Sequence, residues 1–201
     1  MSKQLLVAHD HMVYRVIRQR WGDPLDASYS RTRRDNRWNT PSFPALYACC
    51  SEQVARAVAL DVFRLSGVEL EDLHPDIQPA LVEFTWSGTL VDVASAPGVT
   101  AAGFSATYPS GASLADTQKA AAAWHAGGLE GVLCRSASLA RLGFSGWKDP
   151  HQPWGEVAIF PQNAKRPPRR RRTRGDFDWL RVEPQRTSRD DPGSQPGEQK
   201  G

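Results

Sequence analysis

Pro44-Ala45-Leu46-Tyr47-Ala48-Cys49-Cys50-Ser51, running straight into Glu52-Gln53-Val54-Ala55-Arg56-Ala57-Val58-Ala59-Leu60-Asp61-Val62-Phe63-Arg64-Leu65-Ser66-Gly67, is the stretch that decides the fold. Ala45 to Cys50 follows Pro41 and Pro44, is short and apolar, and reads as a strand. Ser51 offers a hydroxyl to cap the free N–H groups of a helix start. Glu52 to Leu65 is rich in Ala, carries apolar residues at Val54, Val58, Leu60, Val62 and Leu65, and is stopped by Gly67. This segment is expected as a helix.

Working outward, Met12 to Ile17 is a β-prone run. The polar, Arg-rich stretch from Arg18 to Asn39 reads as a long irregular connection, and connections that long are often functional. Downstream, Ala80–Trp86 and Thr89–Val93 read as two strands joined by a tight turn at Ser87-Gly88. Ala94–Gly111, rich in Gly, Ala, Ser and Pro, reads as loop. A second helix is expected over Leu114–His125, capped by Ser113 and ended by Gly127-Gly128, and further strands over Gly131–Arg135 and Glu156–Phe160. The class is α+β: a mixed α/β core with short strands.

A chain of 201 residues with 40% hydrophobic residues suits one domain with an ordinary core, or one domain plus a tail. The start, MSKQLLVAHDHMVYR, lacks the apolar stretch of a signal peptide, and no run suits a membrane span; the expectation is a cytoplasmic protein without membrane contact. Cys49, Cys50 and Cys134 form no metal-ligand pair, His74, His125 and His151 form no ligand set, and no metal is expected.

Charge is uneven. From Lys165 to Gly201 there are 11 basic and 6 acidic residues, against 14 and 16 in the preceding 164. A generally basic, nucleic-acid-binding body is not supported. The division expected is a domain over 1–164 and a basic, largely disordered tail over 165–201, with Phe177, Trp179 and Leu180 able to dock back. Seven of the ten residues from Lys165 to Arg174 are Lys or Arg, so this tail is a candidate for nucleic-acid phosphates as well as a solubilising segment.

Four positions draw attention by their order: Arg15 after Tyr14, Arg37 in Asn36-Arg37-Trp38-Asn39, Tyr47, and Ser136 in Arg135-Ser136-Ala137. With the helix from Ser51 and the closing Ala158-Ile159-Phe160, this order resembles the RES domain family over about residues 12 to 162. The resemblance implies an ADP-ribosyltransferase-like fold with a central cleft, a toxin that degrades NAD or transfers ADP-ribose to a protein, and a helix-turn-helix antitoxin. It also implies that Arg15, Arg37, Asn39, Tyr47 and Ser136 line the NAD site; a homodimer is compatible with it. Arginine suits the diphosphate, since its planar fork matches phosphate oxygens. Tyr47 offers a flat ring to nicotinamide, and Ser136 a hydroxyl to ribose or carboxamide. NAD enters as substrate.

One departure matters. Cleaving the nicotinamide–ribose bond builds positive charge that a carboxylate stabilises, yet Val58 stands eleven positions after Tyr47, where the family Glu is expected. Asp61, three residues on and on roughly the same helix face, is the candidate substitute, with Asp92 a further acid. The alternatives to an enzyme are a RES-like domain that binds a nucleotide or partner without turnover, and a nucleic-acid binder driven by its tail.

Overall fold

The computed structural model describes residues 4–18, 21–68, 72–74, 77–144 and 154–179. Two long strands organise it. β1 (Leu6–Arg18) and β3 (Pro79–Val93) run antiparallel in unbroken register, from Leu6 opposite Val91 to Arg18 opposite Pro79. The C-terminal end of β3 takes β4 (Gly131–Arg135) in parallel on its other edge. β5 (Gly155–Ile159) then lies antiparallel to β4, and β2 (Leu46–Cys49) antiparallel to β5. β2 returns to β1 where Tyr14 faces Cys49, so five strands close into a ring. β6 (Arg169–Arg174) pairs antiparallel with the other half of the β3 edge that β4 uses.

Successive side chains of a strand point to opposite faces, and the ring exploits this. Val13 and Ile17, Leu46 and Ala48, Val82 and Phe84, Leu133, and Val157 and Ile159 come from all five strands and fill one buried cluster, the interior of the ring. Each fully buried aliphatic or aromatic side chain of this kind contributes about 1.5–3 kcal/mol. Two more clusters lie outside. One packs α1 (Glu52–Leu65) over Cys49 and Leu81, together with Phe177 and Trp179. The other packs α3 (Leu114–Ala126) with Trp38, Phe43, Tyr108, Cys134, Ala158 and Phe160. Both helices begin at the serines expected to cap them: Ser51 Oγ accepts from the Val54 N–H at 3.3 Å, and Ser113 Oγ from the Asp116 N–H at 3.0 Å.

Three expectations are corrected. Ser87-Gly88 is no turn, for β3 passes through it and His9 pairs with Gly88. The glycine serves the ring of Trp86, which folds across it: a Cβ there would stand 2.4 Å from the indole. Ala94–Gly111 is not all loop, because α2 (Ala96–Ala101) forms within it, capped by Ser95. The basic run after Lys165 is not a disordered tail at its start. Glu130 accepts the Lys165 N–H at 3.0 Å, and Trp86 Nε1 donates to the Arg166 carbonyl at 3.0 Å. β6 follows, with Arg172 and Arg174 both paired to Glu83 and Arg174 also to Glu52. Phe177 and Trp179 then dock, as their apolar character suggests. Leu180, His151 and the remainder of the expected tail lie outside the described residues. Among the described residues, no helix is long and apolar enough to cross a membrane.

His9 generates a pH prediction. It is buried beside Trp86, its Nε2 has no hydrogen-bond partner, and burial lowers its pKa to about 4 from 6.5, with His11 adding to the effect. The unfolded chain takes up this proton first. Stability is therefore complete above about pH 6.5 and falls as pH drops toward 4, by up to about 3 kcal/mol. Urea unfolding midpoints measured at pH 7 and 4.5 should show this loss in the wild type and much less of it in His9→Phe; an equal loss in both would exonerate His9.

Candidate active site

The site is built on the outer face of β2, β5 and β4. Leu46, Ala48, Val157, Ile159 and Leu133 turn into the ring, so Tyr47, Glu156 and Cys134 turn outward. Glu156 lies directly between Cys49 on β2 and Cys134 on β4. It is the one charged residue of a strand paired on both edges.

The loop carrying Arg37 is pinned over this face by a chain of hydrogen bonds. Trp38 Nε1 donates to Cys134 Sγ at 3.1 Å, and its backbone N–H donates to Tyr47 Oη at 2.9 Å. Tyr47 Oη donates in turn to Asn39 Oδ1 at 2.9 Å, and Asn39 Nδ2 donates to the carbonyls of Ser30 at 3.0 Å and Thr40 at 3.2 Å. The Trp38 indole is stacked on Trp124 of α3, with Phe104 and Tyr108 packed nearby. Burial holds the Tyr47 phenol far above its ordinary pKa, so it stays a donor.

Arg37 acts electrostatically on Tyr108, Cys134 and Glu156. Ser136 caps α4 (Ala137–Arg141) by accepting the Leu139 N–H at 3.2 Å, and its hydroxyl acts as a hydrogen-bonding group on the Glu156 carboxyl alongside the Ala137 amide. Burial nevertheless wins and raises the Glu156 pKa, against Ser136, Arg37 and Arg141, which all favour the ionised form. Two atoms at the centre are left over. Arg37 Nη1 and Glu156 Oε1 are buried without a hydrogen-bond partner, while the Tyr108 hydroxyl lies against the Cys134 thiol. Buried donors and acceptors are otherwise almost always satisfied, since an unmade bond costs about 1–3 kcal/mol. An orphan guanidinium donor and an orphan carboxylate acceptor in one cluster suit a ligand that carries both anionic oxygens and a hydroxyl or cationic centre.

Of the residues singled out in the sequence, Arg37, Tyr47 and Ser136 come together here. Arg15 does not join them. It pairs with Val82 and shares the ring-interior face with Val13 and Ile17. There it donates to the Asp26 carbonyl at 3.1 Å and lies over Trp21, with burial lowering its pKa to about 10. Asn39 is fully buried with its amide committed to Tyr47, Ser30 and Thr40, so it positions the phenol rather than facing a ligand. Asp61, the expected substitute acid, is committed elsewhere: it accepts from Ser138 Oγ at 2.8 Å and from Arg141 Nε at 2.9 Å, and pairs with Arg141 Nη2, tying α1 to α4. Asp92 accepts the N–H groups of Ala94 and Ser95 and the Ser95 hydroxyl, shaping the start of α2. Val58 packs into the cluster under α1.

Glu156, Tyr108 and Arg141 were missed in the sequence. The signal for Glu156 was present as a lone acid inside the apolar strand Gly155-Glu156-Val157-Ala158-Ile159; for Tyr108, inside a stretch taken as loop, there was none.

A profile of the RES domain matches residues 12–180. The chain belongs to the RES domain family. The matched span takes in β6, Phe177 and Trp179, so the RES domain extends past Lys165, in agreement with their packing. Among solved structures, the RES domain is similar to a chain of the M. tuberculosis MbcT–MbcA toxin–antitoxin complex, with a TM-score of 0.68 and 17% identity, covering 84% of this chain and 85% of that one. No curated protein matches. Among the described residues of the RES domain, no three His, Cys, Asp or Glu side chains are grouped to hold a metal.

The Asp61 clasp is testable. Asp61→Ala strands Arg141 and Ser138 and should lower stability by about 2 kcal/mol, from the loss of hydrogen bonds to a charged group. Urea denaturation reads this as a lowered midpoint with an unchanged slope.

Proposed function

We propose that this RES domain is the toxin of a toxin–antitoxin pair and acts on NAD in the cytoplasm, by glycohydrolase-like degradation or by ADP-ribosyl transfer to a protein, in an ADP-ribosyltransferase-like arrangement. A helix-turn-helix antitoxin is the partner this reading implies. Family membership supports the class, and one observation carries the chemistry: Glu156 supplies from β5 the carboxylate that Val58 cannot, with Oε1 buried and unpartnered, and Arg37, whose Nη1 is likewise unpartnered, acts electrostatically on that carboxyl.

Each residue has a task in this reading. Arg37 meets the diphosphate with a fork-shaped donor. The C1′–N bond to nicotinamide breaks with its electron pair leaving on the neutral nicotinamide, and C1′ becomes cationic. Glu156, ionised, faces that charge; a preorganised electrostatic group of this kind is worth about 3–4 kcal/mol. Water, or a side chain of a target protein, then attacks C1′ and releases a proton. Ser136 orients the Glu156 carboxyl. Tyr47, its hydroxyl fully engaged, presents only its ring. Asp61 takes no part in the chemistry.

The experiment follows nicotinamide release from NAD by the purified chain. Arg37→Ala and Glu156→Gln should each lower kcat/KM at least 100-fold, while Asp61→Asn, compared per folded molecule, should retain turnover. Because burial raises the Glu156 pKa, acidification should abolish activity at a pH above the ordinary glutamate value of about 4.3. If Glu156→Gln turns over like wild type, the assignment of the carboxylate is wrong. The second reading, binding without turnover, rests on Val58, an apolar residue packed under α1, standing where the family Glu is expected. NAD binding heat without nicotinamide release would establish it, and absence of both would remove the NAD reading altogether.

A further inference from the structure

The ordered arginine strand has no role in the chemistry above. β6 and its approach carry Arg166, Arg169, Arg170, Arg171, Arg172 and Arg174. Two of these are structural, since Arg172 and Arg174 are neutralised by Glu83 and Glu52. Arg169, Arg170 and Arg171 are exposed and make no ion pair with another described residue. Arg166, also exposed, donates to Ser87 Oγ at 3.3 Å and, with Arg169 and Asp10, borders a hollow of 360 Å³. Among the described residues β6 pairs on one edge only.

From these observations we infer that the β6 edge is a docking surface for the phosphate backbone of a nucleic acid. Charge complementarity commits the occupant. Like charges held side by side on a rigid strand repel one another, and blunting a sheet edge against self-pairing requires only one or two charged residues. Every cation on the strand is Arg and none is Lys, which favours paired hydrogen bonding to phosphate over simple solvation. Side chains alternate between faces as the strand rises about 3.3 Å per residue, and the register shifts opposite Glu83 and Phe84, so Arg169, Arg170 and Arg171 offer guanidinium groups to both sides of the free edge. The 164 residues before Lys165 carry 14 basic and 16 acidic residues, so the basic excess lies after them, and the segment from Lys165 to Arg174 holds seven of the 11 basic residues there. Such binding releases counterions and reads phosphates, not bases.

The test uses the full chain and a fluorescein-labelled 20-base-pair DNA duplex, followed by anisotropy between 50 and 250 mM NaCl. Wild type should bind with an affinity that falls steeply with salt. The triple variant Arg169→Gln, Arg170→Gln, Arg171→Gln, whose positions are exposed and make no ion pair with another described residue, should weaken binding at least 10-fold at 100 mM and reduce the log–log salt slope by about 2–3. Its melting temperature and nicotinamide release should match wild type, which keeps this result separate from the enzymatic proposal. The triple Lys variant should keep most of the salt slope. Equal binding by wild type and the Gln variant overturns the inference, as does absence of binding at 50 mM NaCl. Equal competition by poly-glutamate, or tighter binding to phosphatidylserine vesicles, assigns the edge to another partner and overturns it as well.

Discussion

Pairing of β5 on both edges is the constraint from which the rest of the site follows. With β2 on one side and β4 on the other, the strand cannot slip by one residue without turning Val157 and Ile159 out of the ring and Glu156 into it. The apolar residues of β5 thus hold its single carboxylate on the outer face. Burial there would be prohibitive for an isolated charge, and Ser136, Ala137, Arg37 and Arg141 share the work of keeping it tolerable. One oxygen remains uncommitted, and that surplus acceptor gives the surface its chemical character.

Around this strand the polar residues divide cleanly. Tyr47, Asn39 and Ser30 form a chain that fixes the Arg37 loop, each donor spent on a partner. Asp61, Ser138 and Arg141 lock α1 to α4, whose N-cap is Ser136. Groups committed to the scaffold and groups with an unused donor or acceptor are therefore neighbours on one face but distinct in hydrogen bonding. What separates them is whether the last lone pair or N–H is used.

Much of this could be read from the sequence, and the remainder could not for physical reasons. The strand before Ser51 and the helix after it, α3 between Ser113 and Gly127, and β4 carry their signals locally, in caps, glycines and apolar runs. Arg37, Tyr47 and Ser136 were found through their order along the chain. Asp61 shows where such reasoning stops: its helical position was right for a substitute acid, but its partner lies 80 residues away on α4. Gly88 misled in the same manner, because the demand it satisfies, space for the Trp86 ring, is tertiary. Arg172 and Arg174 of β6 read as part of a solvated run because their counter-charges, Glu83 and Glu52, come from distant elements.

The three thiols have a practical corollary. Cys49 and Cys134 are buried, Cys50 is half-buried, and burial raises the pKa of all three, that of Cys50 to about 12. Thiolate, the form that attacks maleimides, is scarce in each near neutral pH. To such reagents the native protein is nearly silent, so a single cysteine introduced on an exposed turn would carry a dye or spin label without first stripping out the natural ones.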